Sequence, residues 1–290
     1  MRKTNNWLFY ALITTVTWGI WGAFSEIPEK NGFPSTLIYV VWAISMIPCA
    51  LVALRNIHFK LDVRKKSVFL GLGVGILGAG GQLILFQALK EGPAYIIFPI
   101  ISIAPIITVI LSSVFLRERV KTSGIIGIVL AFVSIICFSL SSADGSSGKG
   151  YLWLVLALIV FACWGTQAFI MKVANNYSPD AESIFVYMAI SALLFIPVAI
   201  GMTDFSVPVN WGWNGPYLAF MTQILNAIGA LFLVYAMRYG KAMVVSPLAD
   251  ALSPVITVLI SLVIYQQVPP AIQIVGIVSA LSCIFILSRE

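Results

Sequence analysis

The sequence has few charges, one histidine, and no stretch long and polar enough to fold as a soluble domain. Charged residues make up 10% of the 290 positions against 60% hydrophobic, and the mean hydropathy is +1.00. This balance excludes a soluble globular chain. His58 stands among lysines and arginines, so histidine-based metal or acid–base chemistry lacks a partner. Cys49, Cys137, Cys163 and Cys283 are scattered singly without CxxC spacing. They read as small apolar filler and imply neither a disulfide framework nor a metal site. Paired carboxylates and activated nucleophiles are also missing, which argues against an intramembrane enzyme. No cofactor is implied.

What the chain does have is ten apolar stretches of roughly membrane-spanning length, near 7–25, 35–54, 67–89, 93–116, 121–141, 151–171, 182–201, 214–237, 242–265 and 270–288. A bilayer demands internally satisfied backbone, and these unbroken runs lack the polar alternation of a barrel, so helices are expected. The first stretch has the basic start of a signal peptide, but its match to the sixth marks it as retained structure.

Seventeen Lys and Arg against eleven Asp and Glu give a pI near 9.2. Their placement makes this a topology signal. Arg2, Lys3, Arg55, Lys60, Arg64, Lys65, Lys66, Arg117, Arg119, Lys121, Lys172, Arg238, Lys241 and Arg289 fall on one side of the ten stretches, and Lys30, Lys90 and Lys149 on the other. The positive-inside rule then puts both termini in the cytoplasm of a plasma (inner) membrane protein. The partner of this basic chain is the lipid bilayer, and no nucleic acid is expected.

The second five stretches repeat the first five. Trp18-Gly19 is matched by Trp164-Gly165, and Ala88-Leu89-Lys90 with Gly92 by Ala236-Met237-Arg238 with Gly240. The run from Phe98 pairs with that from Ser246 if one extra residue is allowed between the prolines. Five is odd, so the second copy must cross the bilayer in the opposite sense. The expected fold is an all-α membrane protein of ten transmembrane helices in two inverted five-helix repeats, residues 1–145 and 146–290. The small, polar Ser141–Gly150 segment links them. Inverted repeats are an architecture of secondary transporters, with the solute site where the halves meet.

Gly73, Gly75 and Gly78 form a GxGxxG, but a dinucleotide site needs a preceding strand and a soluble βαβ unit. Here a basic loop precedes the glycines and a span contains them. Gly71, Gly75 and Ala79 read instead as a small-residue stripe for close helix packing.

Asp250 is the sharpest functional signal. It is the only acidic residue well inside a span, about 12 Å along its helix. Such a group costs a few kcal/mol on insertion and is by default a functional candidate. Pro247 and Pro254 share its helix face, and each frees a backbone carbonyl. The matched fourth span carries Pro99 and Pro105, with Ser102 opposite Asp250. Interrupted helices in matching positions point to a transporter's site. Gln82, Gln167, Gln223 and Asn226 also lie near mid-span, the last two on one helix face. Trp18, Trp21 and Trp164 are candidate walls, whereas Trp7, Trp153, Trp211 and Trp213 suit the membrane interface and Trp42 fits either role.

No Lys or Arg lies deep in a span, so the interior lacks the cations that a phosphate-bearing solute needs. Asp250 favours a cation, a zwitterion's ammonium or a coupling proton, and tryptophan near a carboxylate suits an alkylammonium group.

These features resemble the EamA branch of the drug/metabolite transporter superfamily. The residues that carry the likeness are Trp18-Gly19, Trp164-Gly165, Pro105 through Leu116 to Glu118, Gly124 and Gly127, and Pro254 with Gly276. The resemblance implies alternating access around a cavity lined by spans 1, 3, 4, 6, 8 and 9, which are the spans bearing the polar residues above. The family usually repeats the glutamate at the end of the ninth span, where this chain has Gln267, so Glu118 is not placed in the site. The expected function is a carrier for a small cationic, zwitterionic or neutral metabolite such as an amino acid or amine. The alternatives are a proton-coupled carrier of sugar or another neutral metabolite, and a channel. Monomer and homodimer stay open.

Overall fold

The computed structural model describes residues 6–25, 27–91, 97, 100–101, 103–141, 151–265, 270–287 and 289. Every regular element among them is helical: α1 (Asn6–Phe24), α2 (Ile27–Lys30), α3 (Ser35–Asn56), α4 (Lys65–Glu91), α5 (Pro105–Phe115), α6 (Thr122–Ser141), α7 (Leu152–Tyr177), α8 (Glu182–Leu194), α9 (Ile196–Gly201), α10 (Leu218–Tyr239, entered through a π-helical turn at Trp213–Tyr217), α11 (Ala242–Tyr265) and α12 (Ala271–Leu287). Six described helices are long and apolar enough to cross a membrane: Trp7–Lys30, Ser35–Asn56, Lys65–Ala88, Leu152–Tyr177, Glu182–Gly201 and Trp213–Tyr239. Segments of α5, α6, α11 and α12 are apolar over shorter lengths. The chain is an all-helical membrane protein.

Two of the breaks in these helices fall at prolines. The 182–201 stretch is two helices, α8 and α9, with a turn at Phe195. Pro197 has no N–H for the carbonyl four residues earlier and its ring crowds that carbonyl. In the fourth stretch Ile103 and Ala104 form a turn and α5 starts at Pro105. The matched helix α11 differs from expectation. It runs without a break from Ala242 to Tyr265 with Pro247 and Pro254 inside. Around Pro254, Ser253 Oγ donates to Ala249 O at 2.9 Å and Thr257 Oγ1 to Ser253 O at 3.2 Å.

Glycines set the helix contacts. A Cβ on Gly71 would lie 2.8 Å from the Tyr187 side chain, and one on Gly75 only 2.5 Å from Ser191 Cβ and 2.8 Å from Met188 Cα. Both glycines therefore let α4 approach α8, as the small-residue reading expects. Gly78 and Gly81, on another face of α4, meet Gln167 and Trp164 of α7. The GxGxxG lies wholly within α4.

The helix pairings come in matched sets. α4 packs on α7 as α1 packs on α10, α4 on α8 as α10 on α3, and α5 on α7 as α11 on α1, while α6 packs on its own counterpart α12. The connections also sort by end. At one end, the 57–64 loop, the 178–181 loop and the turns before Thr122 and Ala242 meet. At the other, Asn31 and Gly32 meet Asn210, and Thr36 meets Thr203.

Candidate functional site: the junction of α1, α4, α7, α10 and α11

Two indoles bridge the packed helices in the same way. Trp18 Nε1–H on α1 donates to Asn226 O on α10 at 3.2 Å. Trp164 Nε1–H on α7 donates to Gly78 O on α4 at 3.4 Å. Each indole fits because a glycine lies one turn beyond its acceptor. A Cβ on Gly229 would collide with the Trp18 ring, and one on Gly81 would sit 2.6 Å from Trp164 Nε1.

The next residue in each copy makes a second matched contact. Thr257 Oγ1 on α11 donates to Gly19 O at 2.9 Å, and Thr108 Oγ1 on α5 donates to Gly165 O at 2.9 Å. A Cβ on Gly19 would stand 2.5 Å from Ile256 Cβ, and one on Gly165 2.5 Å from Ala104 O. These threonines escaped the sequence reading. Their signal was present as identical residues three positions after Pro105 and Pro254, yet a threonine in a span is too common to stand out alone.

Asp250 sits where α11 opens. From Ala242 to Leu252 every residue of α11 is buried except Asp250, which is half-buried. No donor among the described residues hydrogen-bonds the carboxylate. On α1 the Trp21 indole nitrogen is buried and unpartnered among the described residues. A buried donor without a partner is uncommon in folded proteins.

The other nominated residues fall into two groups. Gln223, 4% exposed, accepts from Asn226 Nδ2 at 3.4 Å, and Asn226 carries the carbonyl held by Trp18. Gln167 lies against Gly78, beside the carbonyl held by Trp164. Gln82 is half-buried one turn further along α4. Ser102 lies outside the described residues. Trp18, Gln223 and Asn226 thus form one cluster and Trp164, Gln167 and the Gly78 backbone another. No hydrogen bond among the described residues joins Asp250 to either. Trp211 and Trp213 are exposed, as interfacial anchors would be, and the Trp42 nitrogen is buried and unpartnered among the described residues. Among the described residues no group of three His, Cys, Asp or Glu side chains gathers as a metal site.

Each end of the bundle is tied by an aspartate or asparagine turn. Asp62 accepts from the backbone N–H and guanidinium of Arg64, at 3.2 and 2.8 Å, and from Ser67 and Ser178. The Arg64 guanidinium, helped by the two hydroxyls and opposed by burial, holds the Asp62 carboxyl well below the usual carboxylate range. At the opposite end Asn210 accepts from Gly212 N–H at 2.9 Å and donates to Asn31 O at 2.8 Å. The charged turn lies among the basic loops and the neutral one away from them.

The sequence reading also missed a polar knot at the basic end. The Lys172 ammonium, 8% exposed, donates to Met237 O at 2.9 Å and Gly240 O at 2.5 Å. Arg238 donates to the carbonyls of Asn175, Ser178 and Pro179. Glu118 accepts from the N–H groups of Ala242 and Met243, both at 3.1 Å.

The chain matches the EamA-like transporter family over residues 5–140 and again over 151–289. It is 33% identical over 136 residues to an uncharacterized protein of Methanocaldococcus jannaschii, a stretch covering 97% of that protein but 47% of this chain. An uncharacterized transporter of Archaeoglobus fulgidus is 31% identical over 203 residues, covering 67% of this chain and 68% of the relative. The Bacillus subtilis uncharacterized transporter YxxF is 23% identical over 277 residues, covering 92% and 84%. A solved structure titled simply as the crystal structure of a protein superposes with a TM-score of 0.75 at 17% identity, covering 98% of this chain and 96% of that one. It shares the fold. The chain belongs to the EamA-like transporter family.

Proposed function

We propose that this member of the EamA-like transporter family is a secondary carrier that moves a small organic solute by alternating access. Its halves, residues 1–145 and 146–290, are two inverted five-span units giving ten spans. The matched helix pairings and matched Trp and Thr contacts support that reading, as does the double family match. Charge sorting favours an inner-membrane protein with both termini and the 57–64 loop in the cytoplasm.

The observation that carries the solute class is Asp250, a half-buried carboxylate with no hydrogen-bond partner among the described residues, set among buried residues in the first part of α11. A carboxylate in a low-dielectric site attracts a cation far more strongly than in water. The solute is therefore a cation or a zwitterion bound through its ammonium group, such as an amine or amino acid. Trp21, Gln167, Gln223, Asn226, Gln82 and Ser102 orient its polar groups, and Trp18 and Trp164 hold the walls. A second reading, in which Asp250 carries a coupling proton for a neutral metabolite, follows from the same carboxylate.

A thermal-shift screen of purified protein against amines, amino acids and sugars tests this, because ligands that bind only the folded state raise its melting temperature. Hits are then followed by uptake into proteoliposomes. Saturable uptake of an ammonium-bearing hit is the expected result. Hits confined to sugars, with uptake driven by a pH gradient, favour the second reading, and unsaturable flux at channel speed removes the carrier.

A further inference from the structure

Glu118 ends the motif that follows α5, but the solute site does not use it. Its carboxylate is the one acceptor, among the described residues, for the N–H groups of Ala242 and Met243. The first N–H groups of a helix have no partner within it, and a carboxylate there is also favoured by the helix dipole. The next two, Val244 and Val245, already donate to Lys241 O at 3.0 and 2.9 Å. Glu118 therefore caps the start of α11, the helix that carries Asp250, and it does so from the other half of the chain.

Two further observations bear on the same junction. Arg117, immediately before it, has φ +53°, a left-handed conformation that a non-glycine residue adopts only when its surroundings impose it and that concentrates at switch regions. That turn aims Glu118 away from α5 and across to α11. On the far side of the same junction, Lys172 holds the carbonyls of Met237 and Gly240. The α10–α11 turn is thus gripped at its carbonyls by a cation and at its amides by an anion, with Arg238 anchoring α10 to the 175–179 carbonyls. The sequence positions matching Glu118 and Lys172 in the other copy hold Gln267 and Glu26, so that pattern of charge belongs to the basic end alone.

We propose that Glu118 is the latch of the gate at the basic end, closed in this structure, and that releasing the Ala242 and Met243 amides frees α11 to open the path to Asp250. The proposal rests on the carrier reading above.

The test places one cysteine at Ser246, on the Asp250 face of α11 and nearer the latch, with the four native cysteines replaced. A membrane-impermeant maleimide is added from the basic end. In the wild-type background labelling is slow. Glu118→Ala raises the rate at least tenfold and Glu118→Gln raises it less, because the amide oxygen still accepts one bond. Glu182→Gln leaves it unchanged, since that carboxylate accepts from Tyr235 at 2.9 Å within the second half. Ala242→Pro, which removes one donor while keeping the carboxylate and suits a first helical position, also accelerates labelling, and it decides the matter if Glu118→Ala does not insert. Unchanged rates in the inserted variants overturn the latch. Labelling needs no solute, so failed uptake by wild-type protein counts against the carrier reading alone.

Discussion

The Thr257 hydroxyl donates to the carbonyl of Gly19 at 2.9 Å across the α1–α11 contact. That bond exists because Gly19 has no side chain, and its counterpart between Thr108 and Gly165 has the same length. Backbone carbonyls and hydroxyls hold the bundle where apolar surface alone gives helices little reason to associate in lipid.

Gly19→Ala and Gly165→Ala should each destabilise the fold by about 1–3 kcal/mol through overpacking. The added methyl meets Ser253 O at 2.9 Å in one case and Ala104 O at 2.5 Å in the other, and backbone does not move aside cheaply. Gly73→Ala meets nothing within 4 Å and should hold or raise stability through helix propensity. Thermal unfolding in one detergent compares all three, and equal melting temperatures count against the packing argument.

Trp18→Phe keeps the ring and removes the donor to Asn226 O. The expected loss is about 1 kcal/mol of stability, together with weaker solute binding as the Asn226–Gln223 pair loses its fixed backbone. Trp153→Phe, at a ring packed against the cluster of Leu85, Ala88, Ala157 and Val160, is the control. Binding isotherms for both variants read the difference, and identical affinities remove Trp18 from the site.

Asp250→Asn preserves size and hydrogen-bonding capacity but removes the charge. The variant should insert and fold, yet lose tenfold or more in affinity for an ammonium-bearing solute. Under the second reading it loses the pH dependence of uptake instead. Uptake and binding across pH 5 to 9 at equal protein density separate these. An unaltered affinity together with an unaltered pH profile takes Asp250 out of the site.

Asp62 predicts an acid-sensitive element of stability. Its carboxyl is held below the unfolded range by Arg64, so the folded state binds its proton less readily than the unfolded chain does. The stabilisation is complete above the unfolded pKa of about 4 and is lost as pH falls through the folded value. The melting-temperature gap between wild type and Asp62→Asn should therefore be constant from pH 7 to about 5 and narrow below about 4. Arg64 is half-exposed, so salt should shrink the gap.

Orientation is tested with Ser206→Cys and Lys60→Cys, at opposite ends of the bundle, in a chain freed of native cysteines. An impermeant reagent added to intact cells should label position 206 and spare position 60. The reverse pattern inverts the topology.

The sequence determined the helical class and showed which residues recur along the chain. Long apolar runs leave the backbone no partner but itself, and identical residues such as Trp18 and Trp164 recur at nearly constant spacing. It also determined the sorting of charge that now gathers the 57–64, 116–121 and 239–241 segments at one end. Asp250 stood out because an acid inside a span costs free energy on insertion and is rarely kept there without a use. What the sequence did not decide was who meets whom. Trp18 finds Asn226 across 208 residues and Glu118 finds Ala242 across 124. Such contacts leave no local pattern, because they depend on glycines that are empty space until another helix arrives. The two prolines of α11 show the same limit. Proline removes a donor wherever it stands, but whether the helix breaks depends on the packing around it. Here α11, packed closely on α1, runs on through both prolines, while the fourth span turns before Pro105. Only the packing of the folded helices decided that difference, and it left Asp250 half-buried between buried neighbours on the chain.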